Sequence, residues 1–536
     1  MRRRNFWGWG YEDQVVGAEF QRQLGAMLGS RLGVTDIVVT APPTVDEIRL
    51  RAPRVAVPAS LAALCSSDPY ERLSHTYGKS YRDVIRALRR DFAPAPDIVA
   101  MPRTDADIVR LLDWCASANV AVIPYGGGSS VVGGIEPAVD DRYVGVASID
   151  LRHLDKVLDV DRVSRAARIQ GGVFGPVLEA QLKEHGLTLR HYPQSFEFST
   201  LGGWIATRSG GHYATLYTHI DEFVEALRVI TPRGVLETRR LPASGAGPNP
   251  DRLFIGSEGA LGIITEAWMR VQERPTFRSS ASVRFPTFFA GSRAVRALAQ
   301  SGLHPANCRL LDPQEAQDSG VSDGAVAILL LGFESASGPT ESAMLRALEC
   351  CADHGGIYKP ESVKHKQGGT ERAEEADAWR NSFFRAPYLR DALAAMGFIV
   401  ETFETAITWD RFESFHHAVM ATAKDAMERI CGNGGWVTCR LTHAYPDGVA
   451  PYYTIKAPGT KGEELEQWDQ IKAAVSDALI KNGGTITHHH AVGRDHRRWY
   501  EQERPALFAE ALVAAKAALD PRGILNPGVL VDARGG

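Results

Sequence analysis

The chain has 536 residues, of which 44% are hydrophobic and 23% charged, and its formal net charge is −4. This composition is typical of a globular protein, and the near-neutral charge gives no bulk attraction for nucleic acid. The seven cysteines form no C-x-x-C pair, so neither a disulfide framework nor a zinc ribbon is predicted. A reducing, cytoplasmic setting is therefore expected. No apolar stretch follows the basic residues 2–4, and none reaches the ~20 residues that a membrane span needs.

The first part of the chain is predicted to be a mostly helical leader, residues 1–92, in which the aromatic segment Phe6–Tyr11 is an anchor packed on the main body. From Pro96 the pattern changes to short apolar strands that alternate with helices. Asp97–Ala100 and Val120–Pro124 read as strands, and the apolar spacing of Asp105–Ala118 predicts a helix between them. This rhythm indicates an α/β-like unit that runs to about residue 275.

Beyond residue 275 the pattern changes again. Ser279–Phe285 alternates apolar and polar residues, which predicts a half-buried strand. Helices and strands then mix up to His490, so the fold class as a whole is predicted to be α+β. The last segment has a helix near Leu507–Ala518, followed by the turn sequence Asp520–Gly523.

Glycine-rich loops are the first candidates for a ligand site. Pro124–Ser130 holds three consecutive glycines after an apolar strand, and successive N–H groups of such a loop can bind a diphosphate. The G-x-G-x-x-G pattern of nicotinamide enzymes is absent, and taken alone the loop reads more simply as a tight turn. Three further stretches of glycines and hydroxyl residues follow in order, 193–203, 207–211 and 256–267.

In this order, the four stretches resemble the flavin-binding half of the vanillyl-alcohol-oxidase family. The resemblance implies a two-lobed FAD-binding domain of the PCMH type and FAD as cofactor. No histidine or cysteine is placed for a covalent link, so FAD is expected to be bound non-covalently. The residues that the resemblance assigns to FAD are Pro124, Tyr125, Gly126, Gly127, Gly128, Ser129, Ser130, Gln194, Ser195, Phe196, Glu197, Phe198, Ser199, Thr200, Thr207, Arg208, Ser209, Gly210, Glu258, Gly259, Ala260, Leu261, Gly262, Ile263 and Ile264.

The second half narrows the resemblance. Thr487–Gly493, with its three consecutive histidines, is similar to a segment of the alkyldihydroxyacetonephosphate synthases, whereas the Glu-His-Gly of related 2-hydroxy-acid dehydrogenases is absent. The similarity extends from Trp7 to the C-terminus. It implies four units: a helical leader (1–92), the FAD-binding domain (93–275), an α+β cap domain with an antiparallel sheet that holds the substrate (276–490), and a C-terminal segment that returns to the FAD-binding domain (491–536).

The histidines can also be interpreted without the resemblance. If Thr485–His490 is a strand, His488 and His490 share one face and His489 points to the other. Three such histidines cannot close on one tetrahedral ion, so no metal is predicted. Histidines that titrate near neutral pH suit proton transfer and contact with a phosphate, and at least one of the three is expected only to pack.

The synthase resemblance implies roles for three further residues. It makes Arg390 the ligand of the substrate phosphate and Arg309 a residue required for activity, either by holding the flavin or by shaping the site. Tyr452 is preferred to Tyr453 as the catalytic tyrosine, one residue closer to the histidines than in the synthases. Cationic neighbours, Arg390 and the histidines, are expected to lower the pKa of this phenol.

Three functions follow as hypotheses. The first is exchange of the acyl group of acyl-dihydroxyacetone phosphate for a fatty alcohol, through an adduct at flavin N5. The second is an FAD-dependent dehydrogenase or oxidase of a small 2-hydroxy acid or alcohol, and the third is a flavin-binding protein without turnover. The stretch Pro313–Gly324 is shorter than in the synthases, which bears on the lipid entrance. A homodimer is expected from the family, and peripheral contact with a membrane is left open.

Overall fold

The computed structural model describes residues 2–14, 16–368, 374–432 and 435–532. Its helices in chain order are α1 Ala18–Leu32, α2 Pro69–Ser74, α3 Tyr81–Leu88, α4 Asp105–Ala118, α5 Gly175–Glu184, α6 Leu201–Thr207, α7 Ala214–Tyr217, α8 Ile220–Phe223, α9 Asp251–Phe254, α10 Phe288–Gln300, α11 Pro313–Asp318, α12 Glu341–Ala352, α13 Glu374–Ala395, α14 Trp409–Cys431, α15 Glu464–Lys481, α16 Arg497–Glu503 and α17 Ala506–Leu519.

The described strands form two larger sheets in the first half, a two-stranded sheet of Leu187–Thr188 and Gln272–Glu273, and one large sheet in the second half. In chain order they are β1 Cys65–Ser66, β2 Ile98–Ala100, β3 Val120–Tyr125, β4 Gly145–Asp150, β5 Val157–Asp161, β6 Ala166–Gln170, β7 Leu187–Thr188, β8 Val224–Thr231, β9 Gly234–Glu237, β10 Ile263–Arg270, β11 Gln272–Glu273, β12 Phe277–Phe285, β13 Asn307–Leu311, β14 Ala327–Ser335, β15 Lys364–Gln367, β16 Phe398–Glu404, β17 Ile407–Thr408, β18 Trp436–Ala444 and β19 Gly448–Pro458. The predicted α+β fold is confirmed.

The first lobe of the FAD-binding half is a four-stranded sheet in the order β1-β2-β4-β3. Strands β2, β4 and β3 are parallel, and both flanks are covered, which explains their continuous apolar sequence. The predicted helix α4 has the expected bounds. It begins at a capping box of Thr104 and Asp107, ends at Asn119 in the left-handed conformation, and buries the apolar side chains that set its period.

The second lobe is an antiparallel sheet in the order β5-β6-β10-β8-β9, which packs against α5 and α6. Helix α6 lies close to the sheet because Gly202 has no side chain: a Cβ there would approach the carbonyl oxygen of Gly171 to 2.9 Å. The C-terminal segment returns to the first lobe, where Val122 accepts the N–H of Asn526 and donates to the oxygen of Ile524, both at 2.8 Å.

The cap is an antiparallel sheet in the order β15-β12-β14-β13-β18-β19-β16, and β17 also pairs with β19. The strand predicted at Ser279–Phe285 is confirmed as part of β12, whose Ala281, Val283 and Phe285 enter the hydrophobic core. Helices α10, α12, α14 and α15 supply the other side of that core. The pocket side of β13, β18 and β19 carries the polar residues of the candidate site.

The leader is helical only in part. Helices α1, α2 and α3 are present, but the stretch between α1 and α2 holds only two 3₁₀ turns and the short β1. The aromatic anchor is confirmed: Phe6 is 4% exposed and Trp9 8%. Phe6 packs on Phe92 and Trp9 on Phe198, with ring centroids 5.6 and 5.8 Å apart. No helix among the described residues is long and apolar enough to cross a bilayer.

Candidate active site

A cavity of about 230 Å³ lies between the glycine loops of the predicted FAD-binding half and strands β13, β18 and β19 of the cap. The predicted flavin-binding residues that line it are Pro124, Tyr125, Gly126, Gly127, Gly128, Ser129, Ser130, Gln194, Ser195, Ser199, Thr200, Thr207, Ser209, Gly210, Glu258, Gly259, Gly262, Ile263 and Ile264. Stretches that lie far apart in the sequence therefore converge on one wall.

The loop Gly126–Ser129 has the properties of an anion site. Its backbone N–H groups donate to no other described residue, although the loop lines the cavity. Gly127 admits no side chain, because a Cβ would overlap the carbonyl oxygen of Phe198, and Gly128 has a φ of +71°. Free N–H groups at the cavity wall fit the diphosphate of FAD. Contact of individual residues with the cofactor stays a prediction.

Six residues assigned to FAD by sequence do not line the cavity: Phe196, Glu197, Phe198, Arg208, Ala260 and Leu261. Phe196 stacks on Tyr192 with centroids 4.4 Å apart, and Arg208 forms an ion pair with Asp221 at 2.8 Å. Ala260 and Leu261 belong to the hydrophobic core of the second lobe. Ala260, Leu261 and Phe196 therefore pack behind the cavity wall.

Tyr452 and Tyr453 point to opposite faces of β19, as the two-residue period of a strand requires. Tyr452 lines the cavity, stacked on His489 with centroids 5.9 Å apart, and the guanidinium carbon of Arg440 lies 3.9 Å from its ring centroid. Tyr453 lies in the cap core, where its hydroxyl is 3.2 Å from Nδ1 of His416. The expected lowering of the phenol pKa is wrong: burial raises the pKa of Tyr452, and Arg440 offsets this only in part.

The triple-histidine segment is not a strand. It wraps around the carboxylate of Glu404, which accepts the N–H groups of His488, His489 and His490 and the hydroxyl of Thr487, the last at 2.6 Å. Glu404 ends strand β16 and is 2% exposed. Burial raises the pKa of this carboxyl, but the facing histidines and these hydrogen bonds hold it below its ordinary value. A buried carboxylate therefore sets the backbone of the segment.

The histidine side chains converge instead of alternating. Nδ1 of His488 is 3.0 Å from Nδ1 of His489, and Nε2 of His488 is 2.8 Å from the hydroxyl of Tyr445. Together with His443, these two histidines place one nitrogen each within 4.8 Å of one another. The prediction that these histidines lie on a strand is therefore wrong, and the argument against a metal site that used it does not hold. The absence of a metal stays a prediction. Burial lowers the pKa of His488, His489 and His490, so they are neutral near pH 7.

Two arginines line the cavity, Arg309 on β13 and Arg440 on β18. Arg309 is fully buried, its Nη1 lies 3.0 Å from Nδ1 of His212, and burial, followed by the nearby Arg440, lowers its pKa to about 9. Arg440 forms an ion pair with Glu315 at 2.7 Å. These contacts fit the shape-maintaining role considered for Arg309.

Arg390, unlike Arg309 and Arg440, is not part of the described cavity lining. Its guanidinium pairs with the adjacent Asp391 at 3.0 Å. The other oxygen of Asp391 accepts the N–H of Trp9 at 2.7 Å, and Trp9 does line the cavity. Arg390 is therefore linked through Asp391 to a residue that lines the cavity.

Glu258 joins the flavin loops to the histidine segment. Its carboxylate lines the cavity and accepts the N–H groups of Val492 and Gly493 at 2.9 and 2.8 Å, directly after the histidines. Burial raises its pKa to about 7 despite these two hydrogen bonds.

Sequence reasoning missed four residues of the site: Glu404, Arg440, His443 and His212. Arg440 faces Tyr452 only because β18 and β19 pair in that register. His443 occupies the same strand, and its Nε2 is 3.2 Å from the carbonyl oxygen of Gly211. Glu404 carried a signal, since it is an acidic residue at the end of an apolar strand, but its partners lie more than 80 residues away.

Comparison with known proteins matches both halves of the chain. Residues 96–239 match the family model of an FAD binding domain, and residues 274–530 match that of the C-terminal domain of FAD linked oxidases. The alkyldihydroxyacetonephosphate synthase of Dictyostelium discoideum is 34% identical over 484 residues, which cover 87% of this chain and 78% of the relative. The glycolate oxidase subunit GlcD of Bacillus subtilis (strain 168) is 28% identical, over 81% of this chain and 88% of the relative.

A solved structure of an alkyldihydroxyacetonephosphate synthase superposes with a TM-score of 0.81 at 27% identity, and the alignment covers 98% of this chain and 99% of the other. The matched FAD binding domain shows that the cofactor is FAD, and the glycine loop at the cavity wall fits its diphosphate. With one sequence relative above 30% identity over most of its length and a solved relative of the same fold, this chain belongs to the alkyldihydroxyacetonephosphate synthase family of FAD-dependent enzymes.

Proposed function

We propose that the protein is an alkyldihydroxyacetonephosphate synthase, which exchanges the acyl group of acyl-dihydroxyacetone phosphate for a fatty alcohol. The observation that supports this most strongly is the group of Tyr452, His489 and Arg440 on the cap wall, across the cavity from the glycine loops. A neutral imidazole, a phenol and a guanidinium together can accept a proton, donate a hydrogen bond and stabilise negative charge.

The exchange is redox-neutral overall. The C–O bond between the reacting carbon and the acyloxy group breaks, and that group leaves as a carboxylate. A C–O bond to the alcohol forms, and the hydroxyl proton of the alcohol is released. FAD, held by the glycine loops, would supply an electron-accepting ring. His489 is neutral and can take the proton from the carbon next to the ketone, whereas the raised pKa of Tyr452 keeps its hydroxyl protonated as a hydrogen-bond donor.

The test is to incubate the purified enzyme with palmitoyl-dihydroxyacetone phosphate and hexadecanol and to analyse the products by mass spectrometry. We expect palmitate and the hexadecyl ether in a 1:1 ratio, with no reduction of an added electron acceptor. The competing function comes from the GlcD relative. If the lipid is unchanged while a 2-hydroxy acid reduces the acceptor, the protein is a dehydrogenase on the same fold.

We also propose that Arg390 binds the substrate phosphate after exchanging its partner Asp391 for it. Arg390→Ala should raise KM for the phosphorylated lipid by about 10- to 100-fold, the value of a hydrogen bond to a charged group, with the FAD content unchanged. Arg385→Ala, an exposed arginine on the same helix α13, is the matched control. Equal KM in wild type and Arg390→Ala would remove Arg390 from the phosphate site and leave Arg309 and Arg440 as candidates.

Assembly and location are further proposals. A cytoplasmic location is supported by seven cysteines that are all unpaired. Peripheral membrane contact is supported by Leu507 and Phe508 at the start of α17, which are 80% and 52% exposed. A homodimer is proposed from the family resemblance.

A further inference from the structure

Three hydrogen-bonded side chains connect the candidate active site with a second pocket on the other side of the histidine segment. His489 lines the main cavity, its Nδ1 is 3.0 Å from Nδ1 of His488, and Nε2 of His488 is 2.8 Å from the hydroxyl of Tyr445. Tyr445 lines the second pocket. We propose that His489, His488 and Tyr445 form a proton relay that carries the substrate proton from the cavity to solvent, which rests on the proposed synthase function.

The second pocket can hold the water that such a relay needs. It is an open cavity of about 560 Å³, far above the ~10–15 Å³ of comparable volume that one water occupies. It lies beside α14, α15 and β17, and its charged side chains are Arg411, Asp447 and Glu503. Its lining shares no residue with that of the main cavity, so Tyr445 reaches solvent that the substrate does not block.

The hydrogen-bond roles are consistent along the chain. Between two facing Nδ1 atoms exactly one proton can lie, which fits two neutral rings, and burial keeps both rings neutral at rest. An oxygen of Glu404 could also accept the Nδ1 proton of His489, but it lies farther away, at 3.5 Å. Nε2 of His489 has no hydrogen-bond partner among the described residues and is left to meet the substrate.

The proton balance closes in two passes, one outward and one back. On the outward pass, the C–H bond next to the ketone breaks, the electron pair stays on the carbon, and the proton goes to Nε2 of His489. The Nδ1 proton of His489 moves to His488, the Nε2 proton of His488 moves to the oxygen of Tyr445, and the hydroxyl proton of Tyr445 moves to water. On the return pass each transfer runs in reverse, so the carbon regains a proton from Nε2 of His489 and the three side chains regain their starting protonation. Without Tyr445, the charge stays on His489.

The experiment uses holoenzyme that turns over palmitoyl-dihydroxyacetone phosphate and hexadecanol, and it compares kcat in H₂O and in D₂O. Wild type should be slower in D₂O, because the protons that move between His489, His488 and Tyr445 exchange with solvent. Tyr445→Phe should lose about 10²-fold in kcat and lose the solvent isotope effect, with KM and FAD content unchanged. His488→Gln, which keeps a hydrogen-bonding side chain but cannot pass a proton through a ring, should lose the solvent isotope effect in the same way.

Tyr77→Phe is the matched control, because it removes another buried hydroxyl bond, to the carbonyl oxygen of Asp91 at 2.9 Å, away from both pockets. A kcat and a solvent isotope effect equal to those of wild type in both Tyr445→Phe and His488→Gln overturn the relay and leave the synthase function standing. A wild type that does not process the lipid overturns both. One equivalent of tightly bound metal in the wild type, held by His443, His488 and His489, would also overturn the relay, because it would occupy the lone pairs.

Discussion

Glu404→Ala is expected to cost about 3–5 kcal/mol of unfolding free energy, because it leaves buried hydrogen-bond donors without an acceptor at about 1–3 kcal/mol each, and to abolish measurable lipid turnover. The carboxylate accepts three backbone N–H groups and the hydroxyl of Thr487, and of these four donors only the N–H of His490 has a second described acceptor, Oγ1 of Thr487 at 3.2 Å. Without it, the segment that carries His488, His489 and His490 loses the contact that shapes it, and the histidines leave their positions around Tyr452.

The size of this effect should depend on pH. The folded-state pKa of Glu404 is lowered, so its stabilisation is fully present above the unfolded pKa of ~4.3 and is lost as the pH falls through the folded value. The difference in unfolding free energy between wild type and Glu404→Gln should therefore stay constant from pH 7 to about pH 5 and shrink once the pH falls below ~4.3. Denaturant unfolding of the holoenzyme above and below that pH measures it. Glu413→Ala, an exposed glutamate on α14, is the control. A Glu404→Ala variant as stable and active as this control contradicts the role of the carboxylate.

Tyr452→Phe is expected to lower kcat by about 10²- to 10³-fold, the usual value of one hydrogen-bond donor at a site of developing charge, while the visible flavin spectrum and KM stay as in wild type. The phenyl ring preserves the stack on His489 and the contact with Arg440, so only the hydroxyl is lost. Steady-state kinetics with the lipid substrate measure the change.

The neighbouring tyrosine provides the control for this variant. Tyr453→Phe removes a hydroxyl in the cap core that lies near His416, so about 1 kcal/mol of stability should be lost with little change in kcat. If instead Tyr452→Phe turns over normally and Tyr453→Phe is slow, the assignment of the two faces of β19 is contradicted.

The flavin half of the site could be predicted from sequence because its signals are local. A run such as Gly126–Gly128 has few uses apart from a tight approach of backbone to backbone or to a ligand, and it keeps that meaning without knowledge of the fold. The sequence prediction included too many residues of these loops. Phe198 and Leu261 are sequence neighbours of cavity-lining residues, but Phe198 packs on Trp9 and Leu261 lies in the core of the second lobe.

The cap half could be predicted less well, because its geometry depends on pairing between distant strands. The contact of Arg440 with Tyr452 follows from the register of β18 and β19, and that of Glu404 with the histidines from the end of β16. The segment Thr485–His490 has the β-branched residues of a strand, but its N–H groups bind a carboxylate instead of a neighbouring strand. Local propensity was overridden by one tertiary contact.

The most direct test of the proposed function is a visible spectrum of the purified holoenzyme before and after anaerobic addition of palmitoyl-dihydroxyacetone phosphate. We expect rapid loss of the oxidised-flavin band with release of palmitate, and recovery of the band when hexadecanol is added and the ether product forms. A flavin band that the lipid leaves unchanged but that glycolate or D-lactate bleaches would contradict the synthase function and make this chain a 2-hydroxy-acid dehydrogenase.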